Sequence, residues 1–130
     1  MLYLIQGLFF QSEEERASLA KIDLRKSTYQ GIIFTDPTDE SQLTGKMFDF
    51  YGKAELFDIS ISEQVLLFTK QYGSDNGYLV LRYQFKRQDN FYVGECIECM
   101  ELRPDRGNDE KRATKCVLTE VPDDFFIDPK

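Results

Sequence analysis

Three cysteines are the residues of this sequence best suited to hold a metal ion. Cys96 and Cys99 stand in the segment CIEC, and Cys116 lies in the last apolar segment. A structural zinc site takes four ligands, usually as two pairs of Cys or His, and the chain has no histidine. Residues three apart on a strand also point to opposite faces. The sequence therefore predicts no metal and no cofactor, with two thiols buried as small side chains and one on the surface.

Acid–base chemistry of the kind that hydrolyses a glycoside has four candidate carboxylates, which are Asp49, Glu55, Asp58 and Glu95. An acidic chain offers such pairs in many places, so their presence carries little information. The sequence contains neither a G-x-S-x-G nucleophile motif nor a glycine-rich phosphate loop. We therefore expect a protein without enzymatic activity.

Two cations on otherwise apolar segments are stronger candidates for binding. Lys70 shares a strand face with Tyr72, and Arg82 lies in the apolar segment that follows. A cation that points into a core must be paired. Its partner is either the carboxylate of a ligand or an acidic residue of the protein, Asp49 or Glu55, and pairing within the protein is the favoured alternative.

Strands are the elements that must position these side chains. The chain has 11 Phe and 7 Tyr, and its apolar residues fall in short segments rich in Val, Ile and Thr. Three successive hairpins with loops rich in Gly, Asp, Asn or Ser indicate a meander. The predicted strands are residues 2–10, 27–35, 43–51, 54–61, 65–72, 78–85, 91–102 and 113–121.

A change of apolar phase interrupts the fourth predicted strand. The apolar positions are even at Ala54 and Leu56 but odd at Phe57, Ile59 and Ile61. A strand with a period of two changes phase in this way only when one residue is inserted. The pattern predicts a β-bulge near Leu56 and Phe57.

The segment before the second strand is compatible with two structures. Ser12 followed by Glu15 is a capping-box pattern, which favours a short helix near residues 13–25. Ile22 and Leu24 alternate with charged residues, as they would in a strand. Both alternatives stay open.

An antiparallel meander of this length exposes two sheet edges unless it closes into a barrel. We expect residues 1–130 to form one all-β domain, an antiparallel meander closed into a barrel of eight or nine strands. A barrel of this size has an interior that side chains can fill or that can hold one small ligand.

The segment FDFYG decides which rings enter that interior. Phe48 and Phe50 lie on one face of the predicted strand, and Tyr51 lies on the other. Gly52 permits a sharp bend beside them. We expect the two Phe rings to enter the barrel and Tyr51 to be partly exposed.

The negative net charge of the chain disfavours polyanionic partners. The formal charge is −7 and the pI is near 4.6, which argues against nucleic acid and against an anionic membrane surface. The apolar start MLYLIQGLFF lacks the basic residues and cleavage site of a signal peptide. Because an odd number of cysteines does not form a disulfide framework, the chain is expected in the reducing cytosol.

The segment VPDDFFIDPK places Phe125, Phe126 and Ile127 between acidic residues. We expect this triplet to pack over an end of the barrel, and the alternative is a docking peptide for another chain.

Residues 43–94 resemble a calycin-type barrel, the broad group of lipocalin-like and avidin-like meanders, and in particular a set of small uncharacterised bacterial barrels. The matching positions, in order, are Asp49, Gly52, Phe68, Lys70, Tyr72, Tyr83, Tyr92 and Gly94. Such barrels often carry a Trp shortly after the last Gly, where this chain has Glu95 and Cys96. The resemblance implies a barrel and, by analogy, a binding module.

These observations favour a non-enzymatic binding module whose barrel holds a small apolar or amphipathic ligand. The alternative is a filled barrel that acts through its outer surface, in protein interaction or self-association. The expected ligand contacts are Phe48, Phe50, Phe68, Lys70, Tyr72, Arg82 and Tyr83.

Overall fold

Eight antiparallel strands account for about 70% of the residues that the structure describes. A computed structural model describes residues 1–10, 17–100, 113–122 and 124, with the backbone alone for residues 19 and 98–100. In chain order the strands are β1 (Leu2–Phe9), β2 (Thr28–Asp36), β3 (Asp39–Asp49), β4 (Gly52–Ile61), β5 (Val65–Tyr72), β6 (Val80–Gln88), β7 (Phe91–Met100) and β8 (Ala113–Val121).

Each strand pairs with the next along the chain, and β8 pairs with β1 to close the barrel. This confirms the predicted meander, its closure and the lower of the two expected strand numbers. The bounds of β8 are those predicted. The largest difference is at β3, which begins at Asp39, four residues before its predicted start. β6 begins at Val80 because residues 73–79 form a longer loop containing a 3-10 turn, Ser74–Asn76.

The two ends of the barrel carry connections of different length. The end at which β3 stops, called here the Asp49 end, carries the connections of residues 50–51 and 73–79 and the described residues 17–27 that precede β2. At the opposite end, the connections between described strands are short turns, at residues 37–38, 62–64 and 89–90. Among the described residues, the longer connections therefore lie at the Asp49 end.

The predicted bulge in β4 is present slightly beyond its expected position. Phe57 pairs with Thr69 and Ser60 with Leu67, so two residues of β4 face a single residue of β5. Asp58 has a positive φ of 49° there. The bulge reverses the apolar phase of β4, as the sequence pattern required.

Large side chains fill the interior of the barrel. The ring centroid of Phe68 lies 5.5 Å from that of Tyr83 and 5.4 Å from that of Phe85. Gly7 faces inward beneath the Tyr29 ring, which occupies the space that a side chain at residue 7 would need. The side chains less than 2% exposed are those of Ile5, Ser27, Ile33, Met47, Leu56, Leu66, Phe68, Lys70, Phe85 and Thr114.

The segment before β2 contains turns in its described part. A 3-10 turn spans Leu19–Lys21, and a single α-helical turn spans Leu24–Ser27. Asp23 caps this turn, since its carboxylate accepts hydrogen bonds from the backbone N–H of Arg25 and of the next residue. Within residues 18–27 there is no strand and no longer helix.

Several sequence predictions fall outside the described residues. They concern the capping-box pattern at residues 12–15 and the apolar triplet at residues 125–127. In the described part of the chain, no helix has the length and apolar character needed to cross a membrane.

Candidate functional site

A buried ion pair lies inside the barrel near the Asp49 end. The ammonium of Lys70 on β5 is 3.1 Å from the Asp49 carboxylate at the end of β3, and both side chains are 1% exposed. The hydroxyl of Tyr72 donates a hydrogen bond to the same carboxylate oxygen. The other oxygen of Asp49 accepts the backbone N–H of Tyr51 at 2.8 Å. The pairing of Lys70 within the protein, predicted as the favoured alternative, is confirmed for Asp49.

Aromatic rings complete the surroundings of the Lys70 ammonium. Its nitrogen lies 4.9 Å from the ring centroid of Phe9, 4.7 Å from that of Tyr72 and 5.1 Å from that of Tyr83. Distances below about 6 Å allow favourable cation–π contact. Desolvation of the cation is thus offset by one carboxylate and three rings, all supplied by the protein.

Tyr72 remains protonated in this environment. Burial raises the pKa of its hydroxyl far above the usual range, and the neighbouring Asp49 charge raises it further. The neutral hydroxyl is the form that can donate a hydrogen bond to a carboxylate. Among the described residues, every buried side-chain nitrogen and oxygen has a hydrogen-bond partner. The described part of the interior thus offers a ligand no unsatisfied polar group.

A second polar cluster joins β2 to β8. The hydroxyl of Thr114 donates to the Leu8 carbonyl at 2.9 Å and lies 2.7 Å from the Tyr29 hydroxyl. Burial raises the pKa of Tyr29 well above its usual value, and the nearby Cys116 contributes in the same direction. Burial also raises the pKa of the Cys116 thiol to about 12. This thiol is protonated at neutral pH, which makes it a poor nucleophile.

The cysteines do not gather into a site in the described part of the chain. Cys96 and Cys116 are both buried and neither forms a disulfide there, while the Cys99 side chain lies outside the described atoms. Within the residues described, no three Cys, Asp or Glu side chains are grouped so that they could hold a metal ion.

The prediction that Phe48 and Phe50 enter the barrel is wrong. Phe48 is 56% exposed and Phe50 is 39% exposed, while Met47 and the Asp49 side chain face inward. The residues of β3 that face inward here are therefore the odd-numbered ones, whereas the even-numbered ones were expected. Tyr51 is 38% exposed, as expected. Lys70 requires a buried carboxylate, and only the phase that turns Asp49 inward supplies one from β3.

Arg82 does not share the interior with Lys70. Its guanidinium donates to the Thr69 hydroxyl at 2.7 Å and to the backbone carbonyl of Asp58 at 3.2 Å. These contacts place it on the outer wall of β5 and β6, where it stabilises the bulge of β4. Of the seven expected ligand contacts, Phe68, Lys70, Tyr72 and Tyr83 lie together in the interior. Phe48, Phe50 and Arg82 lie on the outside of the barrel.

The outward ring of Phe48 on β3 and the ring of Phe50 in the following turn border a groove of about 420 Å³ at the Asp49 end. Five of its lining residues turn their side chains toward it, namely Arg25, Thr28, Gln30, Phe48 and Phe50, whereas Tyr29 and Asp49 also line it but turn their side chains into the barrel. The Arg25 guanidinium carbon is 5.4 Å from the Phe50 ring centroid, and the Lys26 nitrogen is 5.9 Å from it. We call these five residues together with Lys26 the β3 groove. Sequence reasoning did not single out Arg25, because its position opposite Phe50 depends on the fold.

A second groove, of about 520 Å³, lies on the other side of the β3–β4 turn. Tyr51 and Tyr78 border it, and the Asn76 amide donates to the Tyr51 carbonyl at 2.7 Å. The Phe50 and Tyr51 rings meet edge to face with centroids 5.4 Å apart. The turn thus holds one ring toward each groove.

Comparison with known proteins returns no relative. No family model matches the chain. No curated protein and no solved structure matches it either.

Proposed function

We propose that this protein is a non-enzymatic binding module with a filled barrel that contacts a protein partner through the β3 groove. The observation that carries the proposal is the exposure of Phe48 and Phe50 beside Arg25. Exposed rings next to a cation are typical of the centre of protein interfaces, which are enriched in aromatic residues and Arg.

The packing of the barrel interior also supports binding through the outer surface. A barrel that holds a ligand needs interior polar groups that the ligand can bind. Lys70, by contrast, is already paired with Asp49 and covered by rings. Phe68 and Phe85 fill the neighbouring layer at 1% exposure. A ligand in that layer would have to displace close-packed side chains.

A small amphipathic ligand is the second candidate, and its favoured place is the groove beside Tyr51 and Tyr78. A volume of about 520 Å³ lies in the range of small-molecule sites. Lys53 and Gln71 line this groove and supply polar contacts.

We also propose that the barrel is of calycin type and that the protein resides in the cytosol. An eight-stranded meander in which β8 pairs with β1 supports the first statement. Two buried cysteines without a disulfide support the second.

The test compares the protein purified from its own host with the double variant Phe48→Ser/Phe50→Ser. Both rings are exposed, so we expect unchanged circular dichroism and loss of the co-purifying protein in native mass spectrometry. The matched control is Val117→Ser, which removes a side chain that is 46% exposed on the wall of β8. Equal recovery of the partner with wild type and double variant contradicts the proposal. A bound mass of small-molecule size, lost in Tyr78→Ser, supports the second candidate instead.

A further inference from the structure

The charge around the β3 groove differs from that of the whole molecule. The chain carries a formal charge of −7, yet Arg25 and Lys26 both lie within 6 Å of the Phe50 ring, at 5.4 and 5.9 Å. Asp49 also borders the groove, but its carboxylate points inward to Lys70. Among the described residues, the side chains that line the groove and face it are therefore neutral or, for Arg25, positive.

Arg25 is available to a partner. Its backbone N–H is bonded to Asp23, whereas its guanidinium contacts the Phe50 ring and pairs with no carboxylate in the part of the chain described. A planar guanidinium that rests on a ring keeps its edge donors free for a carboxylate. The bidentate contact between Arg and a carboxylate is among the stronger polar interactions at protein surfaces.

We infer that the β3 groove binds an acidic peptide segment that carries an aromatic side chain. The peptide ring packs between Phe48 and Phe50, and a neighbouring carboxylate binds the Arg25 guanidinium. The Gln30 amide, which also lines the groove, supplies a hydrogen bond to the peptide backbone. This inference rests on the proposed function and names the chemistry of the partner.

Two other anionic partners fit the groove less well. An anionic membrane attracts a basic surface, but the charge of −7 repels the protein as a whole from it. A nucleic-acid site requires several protein cations that contact successive phosphates, whereas the β3 groove as defined here contains two. A concave site of about 420 Å³ suits a side chain better than it suits a flat lipid surface.

The test is fluorescence polarisation with a labelled hexapeptide of alternating aspartate and phenylalanine. Two matched peptides replace aspartate by lysine or phenylalanine by alanine. We expect only the first peptide to bind. Arg25→Ala should lower its affinity about tenfold or more, which is the size of one charge-assisted contact, and Phe48→Ser should lower it by a similar factor. Arg87→Ala is the control because this exposed arginine lies near the opposite end, where its guanidinium donates to the Asp89 carbonyl. Added salt should weaken binding of the wild type and leave that of Arg25→Ala nearly unchanged.

Equal binding of the lysine–phenylalanine peptide overturns the inference, because it would show that charge plays no part. Co-sedimentation with phosphatidylserine–phosphatidylcholine vesicles that Arg25→Ala abolishes also overturns it, in favour of a membrane. If no peptide binds but Phe48→Ser/Phe50→Ser still loses the host partner, the inference fails while the proposed function stands. If that double variant keeps the partner, the proposed function fails as well.

Discussion

Lys70 and Asp49 form a buried ion pair across the barrel although 21 residues separate them in the chain. They belong to β5 and β3, with β4 between them. Because Asp49 also accepts the backbone N–H of Tyr51, one carboxylate links the interior to the turn that exposes Phe50. The buried pair therefore helps to position the rings that border both grooves.

Asp49→Asn should destabilise the fold by about 3–5 kcal/mol, because it leaves the Lys70 charge buried without a counter-ion. Urea denaturation measures the loss. Adding Lys70→Met should recover part of it, since the double variant buries no charge. The control is Glu55→Gln, whose pair with Lys53 spans 3.8 Å on the exposed wall and is worth less than about 1 kcal/mol. A loss at Asp49 as small as that at Glu55 contradicts the prediction.

Phe48→Ala should cost less than about 1 kcal/mol, because the ring is 56% exposed. Phe68→Ala removes a ring that is 1% exposed and should cost about 3–5 kcal/mol. Equilibrium unfolding of the two variants side by side gives the comparison. The opposite order of the two losses would show that β3 presents its Phe face to the core.

Thr114→Val should cost about 1–3 kcal/mol, because both the Tyr29 hydroxyl and the Leu8 carbonyl lose a hydrogen bond in a buried place. In a double-mutant cycle, Tyr29→Phe should cost less in the Thr114→Val background than in the wild type. Thr119→Val, at an exposed position of the same strand, serves as the control. Additive losses would mean that the two hydroxyls do not interact.

Alkaline pH should destabilise the protein from about pH 9 upward. The pKa of Cys116 is raised from 9.0 to about 12 in the fold, so the folded state holds its proton after the unfolded state has lost it. The contribution of this raised pKa to the free energy of unfolding is complete below pH 9. It declines by up to about 1.4 kcal/mol per pH unit as pH rises toward 12. Tyr29 and Tyr72 add to the decline above their usual value of 10.0.

Unfolding free energies measured at pH 8, 9 and 10 test whether stability falls as pH rises. Cys116→Ala should be less stable than the wild type at pH 8 because of the cavity, but its stability should fall less between pH 9 and pH 10. Parallel pH profiles for the two proteins would exclude a role for this thiol.

Much of the fold was predictable because its signals are local. The period of two in segments such as ATKCVLTEV, together with short loops, predicts strands that pair with their chain neighbours. The phase change between Leu56 and Phe57 likewise predicts a bulge in β4, and the structure has one beside them. Residue order alone determines these features, since a strand period and a tight turn involve only a few consecutive positions.

The face of β3 and the direction of Arg82 were decided by tertiary structure. Hydrophobicity along the segment FDFYG favours turning Phe48 and Phe50 inward, yet the barrel turns Met47 and Asp49 inward. The reason is the buried ammonium of Lys70, whose charge must be paired. Across β4 it lies in register with Gly45, which has no side chain to offer, and it pairs with Asp49 further along β3. The sequence by itself determined an antiparallel meander of eight or nine strands and a net charge of −7. Only the assembled barrel decided which charges meet inside it and which rings remain outside for a partner, because these depend on contacts between residues far apart in the chain.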